Sequence, residues 1–286
     1  MAILELSKPL KPQKKLLPLF ETNVRLKKVE QLSIKNNKTY HTIDSFKGNN
    51  LDTSTPRKSL QFQSRIKAVK SNWIEDKAFE EKCIEYLDKE TDIINYLKGE
   101  IIVDKKRQLQ GIDIIGRVGD KQVTIDVKSI ASFNFPTFCF EISGNIQTNQ
   151  IGWLLNPKVI TDYYLLTYHE IKNAGNDYKL GKSYFIKGHK PIKNMAILIS
   201  KREVIKIIRQ QVAYDLNDAV KKIRSIQYTS KDSSIKSFDT TLNPIKNKKN
   251  HNLWFSLSLG IREKPINIVI RKEMLIKHAY KTWIFQ

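Results

Sequence analysis

The sequence predicts an α/β fold: a helix, a group of short strands, a second helix and a further strand, followed by a smaller α+β region. Three observations carry this expectation. Asn72-Trp73-Ile74-Glu75 has the form of a capping box opening a helix. Short apolar segments bounded by turn residues follow it between Glu100 and Ile142. Ser200-Lys201-Arg202-Glu203 then makes a second capping box ahead of a long stretch with helical apolar spacing.

In chain order, residues 1–58 hold Pro9, Pro12 and Pro18, many Lys and Asn, and no sustained helical or alternating period. They read as a basic, largely disordered N-terminal arm. The first helix runs to about Asp88, and strands are expected at 100–103, 111–118, 122–128 and 137–142. The stretch 144–155 reads as a helix ending before Pro157, and 163–169 as another strand. Beyond the second capping box, Val204, Ile208, Val212, Leu216, Ala219 and Ile223 keep helical spacing, so one long helix is expected to open a basic C-terminal subdomain, 201–286. Residues 253–259 and 266–271 read as its closing strands.

The 286 residues carry 50 Lys+Arg against 29 Asp+Glu, a formal net charge of +21. Such a balance favours a polyanion, because each cation set against a phosphate releases counterions. The histidines show no metal-ligand spacing, two cysteines are too few for a four-cysteine zinc site, and no Gly-rich phosphate loop leads into a helix. No apolar run approaches the ~18 residues of a membrane span, so a cytoplasmic protein without a membrane partner is expected.

The chemistry concentrates between Gly111 and Lys128. If Gly119-Asp120 is a two-residue hairpin turn, the register sets Asp113 directly opposite Asp126, with Cβ atoms about 4.5–5.5 Å apart. Two carboxylates in that relation repel unless a cation or a proton lies between them. Alternation turns Val123, Ile125 and Val127 to the core and leaves Asp126 and Lys128 on the Asp113 face, with Lys128 opposite Gly111. On the preceding helix Phe79, Cys83, Ile84 and Leu87 form the apolar arc, and Glu80 falls inside it while Glu81, Glu85 and Asp88 face away. An inward carboxylate needs a cation or hydrogen bonds. Asp76 shares the arc, but an acid in the first turn also favours the helix N-terminus.

These residues resemble the PD-(D/E)xK nuclease superfamily over 72 to about 169, through Glu80, Asp113 and Asp126-Val127-Lys128. Ile112 stands where many members have Pro. The resemblance implies a restriction-endonuclease-like core over 59–200, a central mixed sheet flanked by helices, and a Mg²⁺-dependent DNA endonuclease in which Mn²⁺ can replace Mg²⁺. By the same resemblance Asp113, Asp126, the Val127 carbonyl and Glu80 hold the metal, and Lys128 activates water and steadies charge on phosphorus. Gln147 resembles a polar position some branches use beside the scissile phosphate; Gln150 and Glu141 are weaker candidates. A homodimer or a partner subunit also fits the resemblance.

Lys201, Arg202, Lys206 and Arg209 on the basic helix, and Lys246, Lys248 and Lys249 farther on, are the expected nucleic-acid contacts. Trp254, Phe255 and Trp283 are better placed as core residues than as base-stacking platforms. The competing reading is a non-catalytic DNA-binding or assembly protein that uses the same fold as a scaffold, and a third is an RNA-directed nuclease.

Overall fold

In a computed structural model, the described residues are 73–145, 148, 150–229, 236–258 and 264–285. The arm expected over 1–58 lies outside them. The chain first forms α1 (Trp73–Glu90), α2 (Ile93–Tyr96), β1 (Glu100–Ile101) and α3 (Lys105–Gln108). The hairpin β2 (Ile114–Val118) and β3 (Lys121–Ile130) follows, then β4 (Thr137–Asn145), β5 (Gln150–Ile151) and β6 (Tyr163–Ile171). Next come α4 (Tyr178–Ile186), β7 (Pro191–Ser200), α5 (Lys201–Gln211) and α6 (Leu216–Thr229). The chain closes with β8 (Ser237–Phe238), β9 (Leu253–Leu257), β10 (Ile266–Arg271), α7 (Lys272–Lys277) and β11 (Lys281–Phe285).

The strands form two sheets, a six-stranded β1-β2-β3-β6-β7-β11 and a five-stranded β5-β4-β10-β9-β8. The first is mixed, because β3 and β6 run parallel while its other pairs are antiparallel. The fold is therefore mixed α/β, as expected.

Alternation along the strands sorts the side chains into two layers. Tyr164, Leu166, Tyr168, Met195, Ile197 and Ile199 leave one face of the first sheet and pack with Phe138, Phe140 and Ile142 of β4, the inner residues of β9 and β10, and α5 and α6. Val123, Ile125, Val127, Leu165, Ala196 and Leu198 leave the other face and meet Ile84 and Leu87 of α1 and Ile93, Ile94 and Leu97 around α2. At about 25 cal/mol per Å², burial of this second face is the main force holding α1 over β3.

Three sequence expectations change. Among the described residues, 144–155 holds no helix: β4 continues through Gly144 to Asn145, and the short β5 pairs back onto it. Gly152 explains part of this, since a Cβ there would lie 2.4 Å from the Glu141 carbonyl oxygen. The long helix from Lys201 is two helices, interrupted where Val212 is extended (φ −92°, ψ 124°). Asp215 restarts the second by accepting the Asn217 amide at 2.9 Å. Among the described residues, those after Ser200 form no sheet of their own, because β11 joins the first sheet and β8–β10 join β4 in the second.

Candidate active site

The hairpin forms in the expected register, with Val118 opposite Lys121 and Ile114 opposite Ile125. Gly119 takes φ +60° in the turn, a conformation glycine reaches without steric cost. The ladder carries on one step: the Asp113 amide donates to the Ile125 carbonyl at 2.9 Å, and Asp113 Oδ2 accepts the Val127 amide at 2.8 Å. Beyond Asp113 the strand turns away, since the Ile112 amide donates to Arg107. Gly111 consequently sits not against Lys128 but against Thr161 and Val159, with φ +74°. A Cβ at Gly111 would lie 2.4 Å from Thr161 Oγ1, and Thr161 Oγ1 donates to the Gly111 carbonyl at 2.7 Å.

Asp126 is buried, and its Oδ1 lies 2.8 Å from Lys128 Nζ. The same ammonium is 3.3 Å from Glu80 Oε1, so α1 delivers the inward carboxylate that its apolar arc implied. Lys128 also reaches the Val127 carbonyl at 3.4 Å and lies 5.8 Å from the Trp153 ring centroid. A cleft of about 450 Å³ opens over this group, lined by Glu80, Asp113, Asp126, Lys128, Trp153 and Tyr178 among others.

Burial, and then the negative charge of Asp126, pushes the Asp113 carboxyl up to about 8, against the opposing effect of Lys128. Glu80 is also raised, chiefly by burial. Burial works against the charge on Lys128, yet Asp126, Glu80 and Asp113 together hold it well above the ordinary lysine value. The lysine is thus a fixed cation among three carboxylates. The Tyr164 hydroxyl is buried without a hydrogen-bond partner and lies near enough to feel the charges of Asp126 and Lys128.

Among the described residues, no group of three or more Asp, Glu, His or Cys side chains is gathered closely enough to hold a metal ion. The fit to Mg²⁺ therefore rests on two carboxylates, Asp113 and Asp126, with Glu80 held by Lys128. Mg²⁺ suits such a set, since it takes hard oxygen ligands and keeps several waters. Asp113, raised by burial and by the charge of Asp126, is a carboxyl whose charged form a cation would stabilise.

A second polar system runs beneath the site. Ser129 Oγ accepts from Thr167 Oγ1 at 2.7 Å, Thr167 lies 2.9 Å from His169 Nε2, and His169 Nδ1 lies 2.7 Å from Asn194 Oδ1. Asn194 Nδ2 then donates to Tyr86 on α1 at 3.0 Å. Burial lowers fully buried His169 to about 4, so it is a neutral structural imidazole rather than a ligand. At the start of α1, buried Lys182 of α4 pairs with Asp76 and lies 4.0 Å from Glu75, which gives Asp76 a structural partner. Both arrangements fix α1, and hence Glu80, over β3.

Of the remaining expected residues, Gln147 lies outside the described residues and Gln150 is exposed on β5. Glu141 belongs to the second sheet, opposite Asn267, and does not line the cleft. Lys201, Arg202, Lys206 and Arg209 line a groove along α5 with Thr161 and Asp162. Lys201 Nζ donates to the Val159 carbonyl at 3.1 Å, and Lys206 pairs with Glu203 at 2.8 Å. Lys246, Lys248 and Lys249 are exposed between β8 and β9, where the Lys248 and Lys249 carbonyls accept from Arg271. Trp254 and Phe255 are buried in β9.

Sequence reasoning missed Trp153 and Tyr164, which carry no local motif, and the exposed cations Lys105, Lys106 and Arg107 beside the cleft. The last were legible as three consecutive basic residues behind the helix cap Asp104. Compared with known proteins, the chain matches no family model, no curated protein and no solved structure. No described helix is long and apolar enough to cross a membrane.

Proposed function

We propose that the chain is a metal-dependent DNA endonuclease of the PD-(D/E)xK type that hydrolyses phosphodiester bonds with Mg²⁺, or with Mn²⁺ in its place. The observation that carries this reading is the Lys128 ammonium set 2.8 Å from Asp126 and 3.3 Å from Glu80, with Asp113 across the hairpin. Asp113 and Asp126, with the Val127 carbonyl and Glu80, would hold the metal, which would supply charge neutralisation and a polarised water. Lys128 stays protonated at neutral pH and offers a fixed positive charge to the phosphate oxygens, on which negative charge grows in the transition state. The Val127 amide holds Asp113 in one orientation, and the Lys182–Asp76 pair holds the α1 turn that leads to Glu80. The net charge of +21 and the α5 groove supply affinity for the polyanion.

The test is cleavage of supercoiled plasmid, linear duplex and branched oligonucleotides in Mg²⁺, Mn²⁺ or EDTA, with Asp126→Ala and Lys128→Ala alongside the wild type. Metal-dependent cutting lost in both variants, with DNA binding kept, supports the reading. The second reading, a non-catalytic DNA-binding or assembly scaffold, is favoured by one observation: Lys128 already neutralises Asp126 and Glu80. It gains if the wild type binds DNA, never cuts it, and both variants behave identically.

A further inference from the structure

The elements that line the cleft differ in charge. On the α1 side Asp76, Glu80 and Glu81 line it, with Lys77 as the cation of that wall. The cleft is also lined by Gln108 and Leu109, at the end of α3, whose Lys105, Lys106 and Arg107 are all exposed. Among the described residues none of these three forms an ion pair. A polyanion is repelled by the α1 carboxylates and drawn to the α3 cations.

The α3 wall is continuous with the α5 groove. The Ile160 amide donates to the Gln110 carbonyl at 2.9 Å, Thr161 Oγ1 bonds Gly111, and Lys201 bonds Val159. Cations therefore run from Lys105–Arg107 through exposed Lys158 to Lys201, Arg202 and Arg209. This track passes the Gly111 edge, where a Cβ would lie only 3.7 Å from Asp126 Oδ2.

Leu109 sits within this track, 69% exposed, yet it lines the same cleft as Asp113, Asp126 and Lys128. It is rigidly presented: its amide donates to the Lys105 carbonyl at 3.0 Å, the Gln108 side chain bonds the Ile102 carbonyl at 2.9 Å, and Asp104 caps the turn through the Arg107 amide. A large apolar side chain held in water, among cations that form no ion pair with the described residues, gains nothing from them. Against DNA it has a use, because apolar side chains wedged between base steps unstack them while neighbouring cations hold the backbone.

We infer that Leu109 is a wedge at the mouth of the cleft, and that the preferred substrate is duplex DNA already unstacked or interrupted there: a nick, a mismatch or a branch. This rests on the DNA-directed reading and narrows it. An interrupted duplex avoids part of the cost that an intact one spends on unstacking, so it binds more tightly at equal charge.

The test is fluorescence anisotropy in EDTA, which needs no cutting, with intact, nicked and centrally mismatched duplexes of equal length. The full-length wild type should bind the interrupted duplexes about tenfold more tightly than the intact one. Leu109→Ala should bring that ratio near one while leaving intact-duplex affinity within about threefold. Lys105→Ala/Lys106→Ala/Arg107→Ala should weaken all three duplexes alike and flatten the salt dependence by up to about three phosphate contacts. A wild type with no preference, or a Leu109→Ala protein that keeps it, overturns the wedge, as does a wild type that binds no DNA. A preference that depends on Leu109, in a protein that never cuts with Mg²⁺, leaves the wedge standing and removes the nuclease reading.

Discussion

Asp113 Oδ2 accepts the Val127 amide at 2.8 Å, so the first acid of the hairpin is bound to the backbone of the strand that carries the second. The bond sets the distance between the two carboxylates through main chain rather than through flexible side chains. It also holds half-buried Asp113 beside Asp126, where its negative charge is costly without a cation.

That cost gives a pH dependence with a definite sign. The Asp113 carboxyl is raised in the folded chain to about 8, so the folded state retains a proton that the unfolded state has released. Metal-free stability should therefore be higher below the ordinary carboxylate range and fall as pH rises through it toward about 8, with Glu80 adding in the same direction. Asp113→Asn should remove most of this slope and stabilise the metal-free protein at pH 8 by about 2–4 kcal/mol. Urea unfolding at pH 5 and pH 8 measures it, and an unchanged slope in the variant sinks the prediction.

His169 acts oppositely over part of the same range. Its folded value is depressed to about 4, so protonation favours the unfolded chain once pH drops below the ordinary histidine value. The contribution is complete above about pH 6.5 and lost as pH falls through 4, at most about 3 kcal/mol. Comparing Asp113→Asn with Asp113→Asn/His169→Gln separates the two. The single variant should lose stability on acidification from pH 7 to 4.5, and the double variant should lose less of it.

Lys128→Ala should leave buried Asp126 without its 2.8 Å partner and destabilise the metal-free protein by about 2–4 kcal/mol. Adding Asp126→Asn should recover part of that loss, with a coupling above about 1 kcal/mol in the double-mutant cycle. Additive losses measured by denaturant unfolding would falsify a structural role for the pair.

Gly111→Ala should be damaging out of proportion to its size. The residue holds φ +74°, and the added methyl would meet Thr161 Oγ1 at 2.4 Å and Val159 Cγ1 at 2.7 Å. A loss of about 2–4 kcal/mol in thermal or urea unfolding is expected. Gly119→Ala, with φ +60° but nothing within 4 Å, should lose only the backbone part, about 1 kcal/mol.

The site was legible where its signals were local. Gly119-Asp120 fixed the register, alternation assigned the faces of Val123, Ile125 and Val127, and the apolar arc of α1 singled out Glu80. What was illegible depends on distant pairing. Residues 144 and 145 stay extended as part of β4, whose earlier residues are zipped to β10, and no local period reveals that partner. The interruption at Val212 was hidden because α5 and α6 both turn apolar residues to the same core, keeping helical spacing across the break. Asp215, as a cap in mid-pattern, was the one signal that could have found it.

Pairing of 137–143 with 266–271 also sets an order of events during synthesis. The α1 helix, the β2–β3 hairpin and strands β6 and β7 all leave the ribosome before β9 and β10 exist. Tyr164, Leu166, Tyr168 and Ile197 must then wait, with part of their covering layer unmade, for the last strands to arrive. Connections between distant segments form slowly, and exposed apolar sheet invites aggregation in the interval. The nascent chain thus passes through a stage in which the acid pair and its lysine are assembled on an open-backed sheet, and this is the stage at which a chaperone has the most to hold.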